Sequence, residues 1–262
     1  MVLDLKNNLK KYIPSLFEML NDDRIRWAEI SRKFQETYDA RLVQYNQKGS
    51  LRVAASFFDV ISAALNKQKS AIRLLDYFQK LFEEISGRLS FKQKQQLKST
   101  VYNLLIINDT QYLHFIGELS VLNQLIKSGN YVFQETEFNL GNGKSVDFHF
   151  KDKRTGKDIL IEVYNIILDR DLKGDEQIKK FLTHRLTQKI NNKTKGRTDL
   201  LNFELVPVIW ATTENLQRFS NFYKSGHIIN VPNCLPACAY ITFTTDDDQN
   251  VHRFGMVHSL FE

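Results

Sequence analysis

Two acidic residues, Asp147 and Glu162, stand in short segments that alternate apolar and polar side chains. In SVDFHF the alternation puts Val146, Phe148 and Phe150 on one face of a strand, with Ser145, Asp147 and His149 on the other. In DILIEVYN it puts Ile159, Ile161 and Val163 on one face, with Leu160, Glu162 and Tyr164 opposite. The intervening KRTGKD reads as a turn, so the strands are expected to pair with the two acids side by side. Like charges adjacent on a sheet face repel, and a divalent cation is the usual compensation. Mg2+ takes oxygen ligands and is commonly held by one or two carboxylates together with a substrate phosphate.

Two further groups bear on that pair. Glu118 lies on a helix, with Phe115, Leu122 and Leu125 at i−3, i+4 and i+7, so it falls in an apolar stripe expected to face the sheet. An acid among core positions needs a partner, which a metal, a Lys or Arg, or a backbone cap could supply. In FLTHRLTQKINNKTKGR, Arg185, Lys189 and Lys193 recur at i, i+4 and i+8, beside a stripe of Leu182, Leu186 and Ile190. His184 and Gln188 are further polar groups there, and a solvated basic face is the plain alternative for all of them.

The elements that must position these residues follow from periodicity. Residues 1–110 read as an all-helical domain, with helix formers throughout and Pro14 as its only proline. Phe57, Val60, Ile61 and Leu65 make one apolar stripe, continued by Ile72, Leu75, Phe78, Phe82 and Ile85, and Gly87 is expected to end that helix. Ser90 is expected to start one helix running through FKQKQQLKSTVYNLLI.

From residue 111 to 262 the expected order is a helix over 111–127, three strands in a meander, a helix over about 175–195, a strand, a helix and a final hairpin. Asn142-Gly143 marks the first hairpin turn. Pro207 in LVPVIWA suggests an edge strand or a strand start. A strand–helix–strand step after a meander implies a mixed α/β sheet with helices on its faces.

The segments FIGELSVLNQLIKSGNYVF, SVDFHF and ILIEVYN, taken with the order αβββαβ, resemble the PD-(D/E)xK nuclease superfamily, the restriction-endonuclease-like fold. The resemblance covers residues 111–210. It implies that Asp147 and Glu162 are metal ligands, with the Val163 carbonyl a third, and that Glu118 is an auxiliary acid acting directly or through water. The family pattern has Lys two residues after the second acid, where this sequence has Tyr164, a hydroxyl without positive charge. In the superfamily that lysine can migrate to the following helix, which points to Lys189 and then Lys193. The implied reaction is Mg2+- or Mn2+-assisted hydrolysis of nucleic acid, DNA first, in restriction, defence or repair. The departure at Tyr164 also admits a catalytically silent member that binds nucleic acid or a partner protein.

Composition sets the remaining bounds. The 262 residues carry 36 Lys+Arg against 30 Asp+Glu, and the whole excess of +6 lies within residues 1–115. A basic face on a neutral body could hold a polyanion, while a Lys-rich soluble surface would look the same. No apolar run approaches the roughly 18 residues of a membrane span, and the charged N-terminus is unlike a signal peptide, so the expected setting is the cytoplasm. Homodimerisation is left open. Cys234 and Cys238 match no common zinc spacing and read as buried thiols. Asp246-Asp247-Asp248 lacks the glycine and distal Glu of a calcium loop and reads as a hairpin turn. His149 shares the Asp147 face, with a structural role as the plainer reading.

Overall fold

The structure, a computed structural model, describes residues 4–20, 25–48, 56–107, 111–168, 172–195, 202–244 and 250–262. The chain divides into two compact units, Met1–Ile116 and Gly117–Glu262.

The first unit is helical among its described residues. Its elements are α1 (Leu5–Tyr12), α2 (Pro14–Phe17), α3 (Trp27–Lys48), α4 (Phe57–Leu65), α5 (Lys69–Arg88), α6 (Phe91–Gln96) and α7 (Lys98–Ile106). Local capping fixes several starts. Ser56 and Asp59 form a reciprocal capping box on α4, and Ser90 and Gln93 do the same on α6. Phe57, Phe58, Phe78 and Phe82 are fully buried, and the Phe57 and Phe78 rings stack at 5.8 Å.

Three helix boundaries differ from the periodic reading. The apolar stripe from Phe57 to Ile85 is split into α4 and α5 by a turn in which Lys67 has φ 61. The expected helix after Ser90 is split at Leu97, which is fully buried and closes back onto the Lys94 and Gln95 carbonyls. Gly87 does not end α5, which runs to Arg88 and is capped by the Leu89 N–H on the Ile85 carbonyl.

In the second unit a six-stranded mixed sheet has the order β1-β2-β3-β4-β5-β6. The strands are β1 (Tyr131–Asn139), β2 (Ser145–Asp152), β3 (Asp158–Ile167), β4 (Phe203–Trp210), β5 (Cys238–Thr244) and β6 (Asn250–Met256). The helices are α8 (Tyr112–Lys127), whose first turn belongs to the other unit, α9 (Asp175–Thr194) and α10 (Thr213–Lys224). β1–β2, β2–β3 and β5–β6 pair antiparallel, and β3–β4 and β4–β5 pair parallel. The expected α/β class with the order αβββαβ is therefore present, with helices before the sheet.

Pro207 is not at an edge or a strand start. It sits inside β4, the strand between β3 and β5, opposite Tyr164. Backbone groups alternate sides along a strand, so its nitrogen points the same way as Leu205, toward β5. There the pairing is interrupted between the Leu205–Cys234 bridge and the ladder that begins at Val208–Cys238, and no donor is required.

One face of the sheet packs on α9 and α10 through Leu160, Leu182, Leu186, Leu205, Ile209 and Phe219. Tyr164 and Ile190 pack against the same cluster. On α8, Gly117 approaches so closely that an added Cβ would lie 2.3 Å from Asn165 Oδ1. Among the described residues no helix is long and apolar enough to cross a membrane. The turn expected at Asp246–Asp248 lies outside the described residues.

Candidate metal-and-lysine site

The site forms where β2 and β3 stop pairing. Their ladder runs from Lys151–Asp158 to Phe148–Ile161, and the next step along this register sets Asp147 beside Glu162. There a side chain replaces the backbone bond: the Val163 N–H donates to Asp147 Oδ2 at 2.6 Å. β3 continues past this point paired to β4, so Glu162 lies in a central strand and is only 2% exposed.

Glu162 is compensated by α9. Lys189 Nζ lies 2.8 Å from Glu162 Oε1, and Lys193 Nζ lies 2.8 Å from Oε2. The leucines at 182 and 186 seat α9 on the sheet, and the i, i+4 spacing then aims both lysines inward. The C-terminal end of α9 is held in place by the β1–β2 turn. Asn142 donates to the Lys193 and Thr194 carbonyls at 3.2 and 3.3 Å, and Lys195 Nζ donates back to the Asn142 carbonyl at 2.8 Å. Lys189 also lies 5.3 Å from the centre of the Tyr164 ring, an ammonium over an aromatic face.

The electrostatics follow from crowding. Burial, then the neighbouring Glu162 charge, pushes the Asp147 carboxyl up to about 7, against the opposing pull of the Val163 N–H and Lys193. Burial raises the Glu118 carboxyl well above the ordinary range, and Asp147, Glu137 and Glu162 push it the same way, against Lys189. For Lys189, burial works against the ammonium, but the Glu162 carboxylate outweighs it and the net shift is upward. Lys189 is therefore held charged.

The structure thus brings together Asp147, Glu162, Lys189, Lys193 and Tyr164, with Glu118 in their field. Glu118 lies on α8 between its more and its less buried positions. It is half-buried, like Phe115 and Leu125, beside the fully buried Ile116, Leu119 and Leu122. Val163 meets Asp147 through its amide. Arg185 is exposed and lies over the Phe181 ring at 5.6 Å. His149 lies between Glu135 at 3.3 Å and Asp158 at 2.9 Å. Cys238 is buried beside Gln124 and Met256, and burial pushes both thiols up to about 12.

One acid escaped the sequence reading. Glu137 lies opposite Asp147 in the β1–β2 register, accepts from Ser145 Oγ at 2.7 Å, and adds to the field on Glu118 and Asp147. Its φ of 52 is left-handed, a conformation that costs a non-glycine residue about 1–2 kcal/mol. Counting back across the 140–144 turn from Asp147 reaches Glu137, so the spacing held the signal.

The donor set suits a hard divalent cation, since carboxylates on two adjacent strands stand side by side in the register. Among the described residues no three His, Cys, Asp or Glu side chains make a ready cage. Two carboxylates suffice for Mg2+, which keeps its remaining positions for water and substrate. Asp147 and Glu162 fit that requirement.

No family model and no curated protein matches this sequence. Among solved structures, that of Pyrococcus furiosus SfsA in complex with Ca2+ is similar at 12% identity and a TM-score of 0.26. The similarity covers 56% of this chain and spans 64% of that one.

Proposed function

We propose that this chain is a metal-dependent phosphodiesterase acting on nucleic acid, DNA first, and a divergent member of the PD-(D/E)xK superfamily. The observation that carries the reading is Lys189. Its ammonium comes from α9 to Glu162 at 2.8 Å and lies over Tyr164, the residue at the position of the family lysine. A cation absent from the strand is supplied from the helix to the same carboxylate.

Asp147 and Glu162 would hold Mg2+ or Mn2+, with the Val163 carbonyl as a third donor. The bound cation supplies positive charge to the scissile phosphate and lowers the pKa of a bound water. Lys189 stays protonated and donates to the phosphate or to the attacking water, where negative charge develops. Tyr164 restricts the Lys189 rotamers and lends no charge. Glu118, with its carboxyl raised well above the ordinary range by burial and by its neighbours, is placed as an auxiliary acid acting directly or through water.

The test is cleavage of supercoiled plasmid, single-stranded DNA and RNA with Mg2+ or Mn2+. Cleavage that disappears with EDTA and in Glu162→Gln is expected. No cleavage of any substrate by the folded chain overturns the reading.

A second reading is favoured by the double ion pair itself. With both Glu162 oxygens neutralised, the cluster could serve as a structural brace in a silent nucleic-acid-binding protein. Binding without cleavage, weakening steeply as salt rises, is its signature.

A further inference from the structure

Glu162 carries more positive charge than one carboxylate requires. Two ammonium groups sit on a side chain that is 2% exposed. The two lysines are not equivalent. Lys189 has a second anchor in the Tyr164 ring, independent of Glu162. Lys193 has the Glu162 ion pair and, like Lys189, lies in the field of Asp147. Its main chain is fixed by Asn142, which leaves the flexible side chain as the part free to move.

Charge balance points the same way. Two ammonium groups already meet Glu162 at 2.8 Å each, so a cation binding there would be a third positive group on one carboxylate. A divalent cation arriving at Asp147 and Glu162 would leave the site overcharged unless a lysine withdrew.

Resting on the metal-dependent reading above, we infer that Lys193 is a placeholder for the metal. Its ammonium competes with the divalent cation for Glu162 and, once displaced, is free to meet a substrate phosphate. Lys193 then has two successive jobs, holding the acid before the metal arrives and binding the substrate afterwards. Metal and substrate assist one another as a result, because the phosphate takes up the ammonium that the metal displaces, and this coupling is reciprocal.

The experiment is Mn2+ binding to the full chain, followed by the electron paramagnetic resonance of free Mn2+ and by calorimetry. The proteins are wild type, Lys193→Met, Glu162→Gln and Arg185→Met, the last removing one exposed positive charge away from Glu162. Lys193→Met should bind Mn2+ about tenfold more tightly than wild type, the equivalent of ~1.4 kcal/mol. Arg185→Met should stay within about twofold, since exposed charges at a distance are screened.

Equal or weaker binding by Lys193→Met overturns the inference. If Glu162→Gln still lowers binding in that case, the metal site itself stands. Absence of Mn2+ binding in both wild type and Lys193→Met overturns the inference and the metal-dependent reading together. A second measurement needs no destabilising variant: lysine side-chain NMR of wild type during Mg2+ titration, with the Lys193 signal assigned through Lys193→Arg. That signal should move to the position of solvent-exposed lysines, and a signal that stays put overturns the inference.

Discussion

Removing Lys189 or Lys193 alone should cost little stability, and removing both should cost far more than the sum. Each ammonium makes one 2.8 Å ion pair with Glu162, and their side chains are 29% and 18% exposed. The Lys189 contact is a hydrogen bond to a charged group, worth about 1.5–3 kcal/mol, and the Lys193 contact is an ion pair without one; partial exposure reduces each to ~1 kcal/mol. In either single variant the other lysine still neutralises Glu162. In Lys189→Met/Lys193→Met the buried carboxylate is stranded, and breaking a buried pair costs about 3–5 kcal/mol. The expected coupling between the lysines is therefore about 2 kcal/mol, well above the ~0.5 kcal/mol scatter of independent sites. Methionine keeps most of the aliphatic stem, which limits packing losses. Urea denaturation in a Trp27→Phe background reads the second unit through Trp210, in β4. Adding Glu162→Gln to the double variant should recover most of the loss. Strict additivity, or no recovery with Glu162→Gln, refutes the idea that the two lysines share one buried charge.

Two further outcomes follow from the site. The Asp147 carboxyl, ordinarily near 3.8, is pushed up to about 7, so the native state keeps a proton that the unfolded chain gives up. Stability should fall as pH rises between about 4 and 7, and that penalty is fully present above this window. Asp147→Asn, whose amide oxygen can still accept from Val163, should be more stable than wild type at pH 8 and lose that advantage toward pH 4; a variant less stable at pH 8 contradicts this. Gly117→Ala places a Cβ 2.3 Å from Asn165 Oδ1, which already accepts from Trp210 Nε1 at 2.7 Å. Overpacking of this kind costs about 1–3 kcal/mol and should shift the Trp210 emission, so an unchanged spectrum and midpoint would show that α8 adjusts freely.

Much of the site was legible because strand and helix periods dictate direction. Alternation put Asp147 and Glu162 on one face, and four-residue spacing put Lys189 and Lys193 on another. What periodicity could not supply was where an element breaks. The left-handed turn at Lys67 carries no glycine to announce it, and the corner at Leu97 is buried by tertiary packing that local pattern does not record. Pro207 misled because its missing donor is harmful only if a partner strand needs it, and here β5 leaves that stretch unpaired. Glu137 was within reach of the same logic, because the register from the 140–144 turn through Phe138–Val146 is regular and the shift in β1 comes only beyond it, between Phe133 and Glu135. The double ion pair on Glu162 depends on how α9 lies over the sheet, which no single segment encodes.

The most direct measurement is a lysine transfer between α9 and β3. Tyr164 lies two residues beyond Glu162 and opposite Pro207 in the β3–β4 parallel pair; under the proposed nuclease reading it holds the place of the superfamily's strand lysine. Plasmid cleavage with Mg2+ should be lost in Lys189→Met and measurably restored in Lys189→Met/Tyr164→Lys, because a cation is returned to the same carboxylate from the strand. Cleavage that persists unchanged in Lys189→Met, or that Tyr164→Lys does not restore in a folded double variant, would contradict the assignment of Lys189 as the lysine that serves this site.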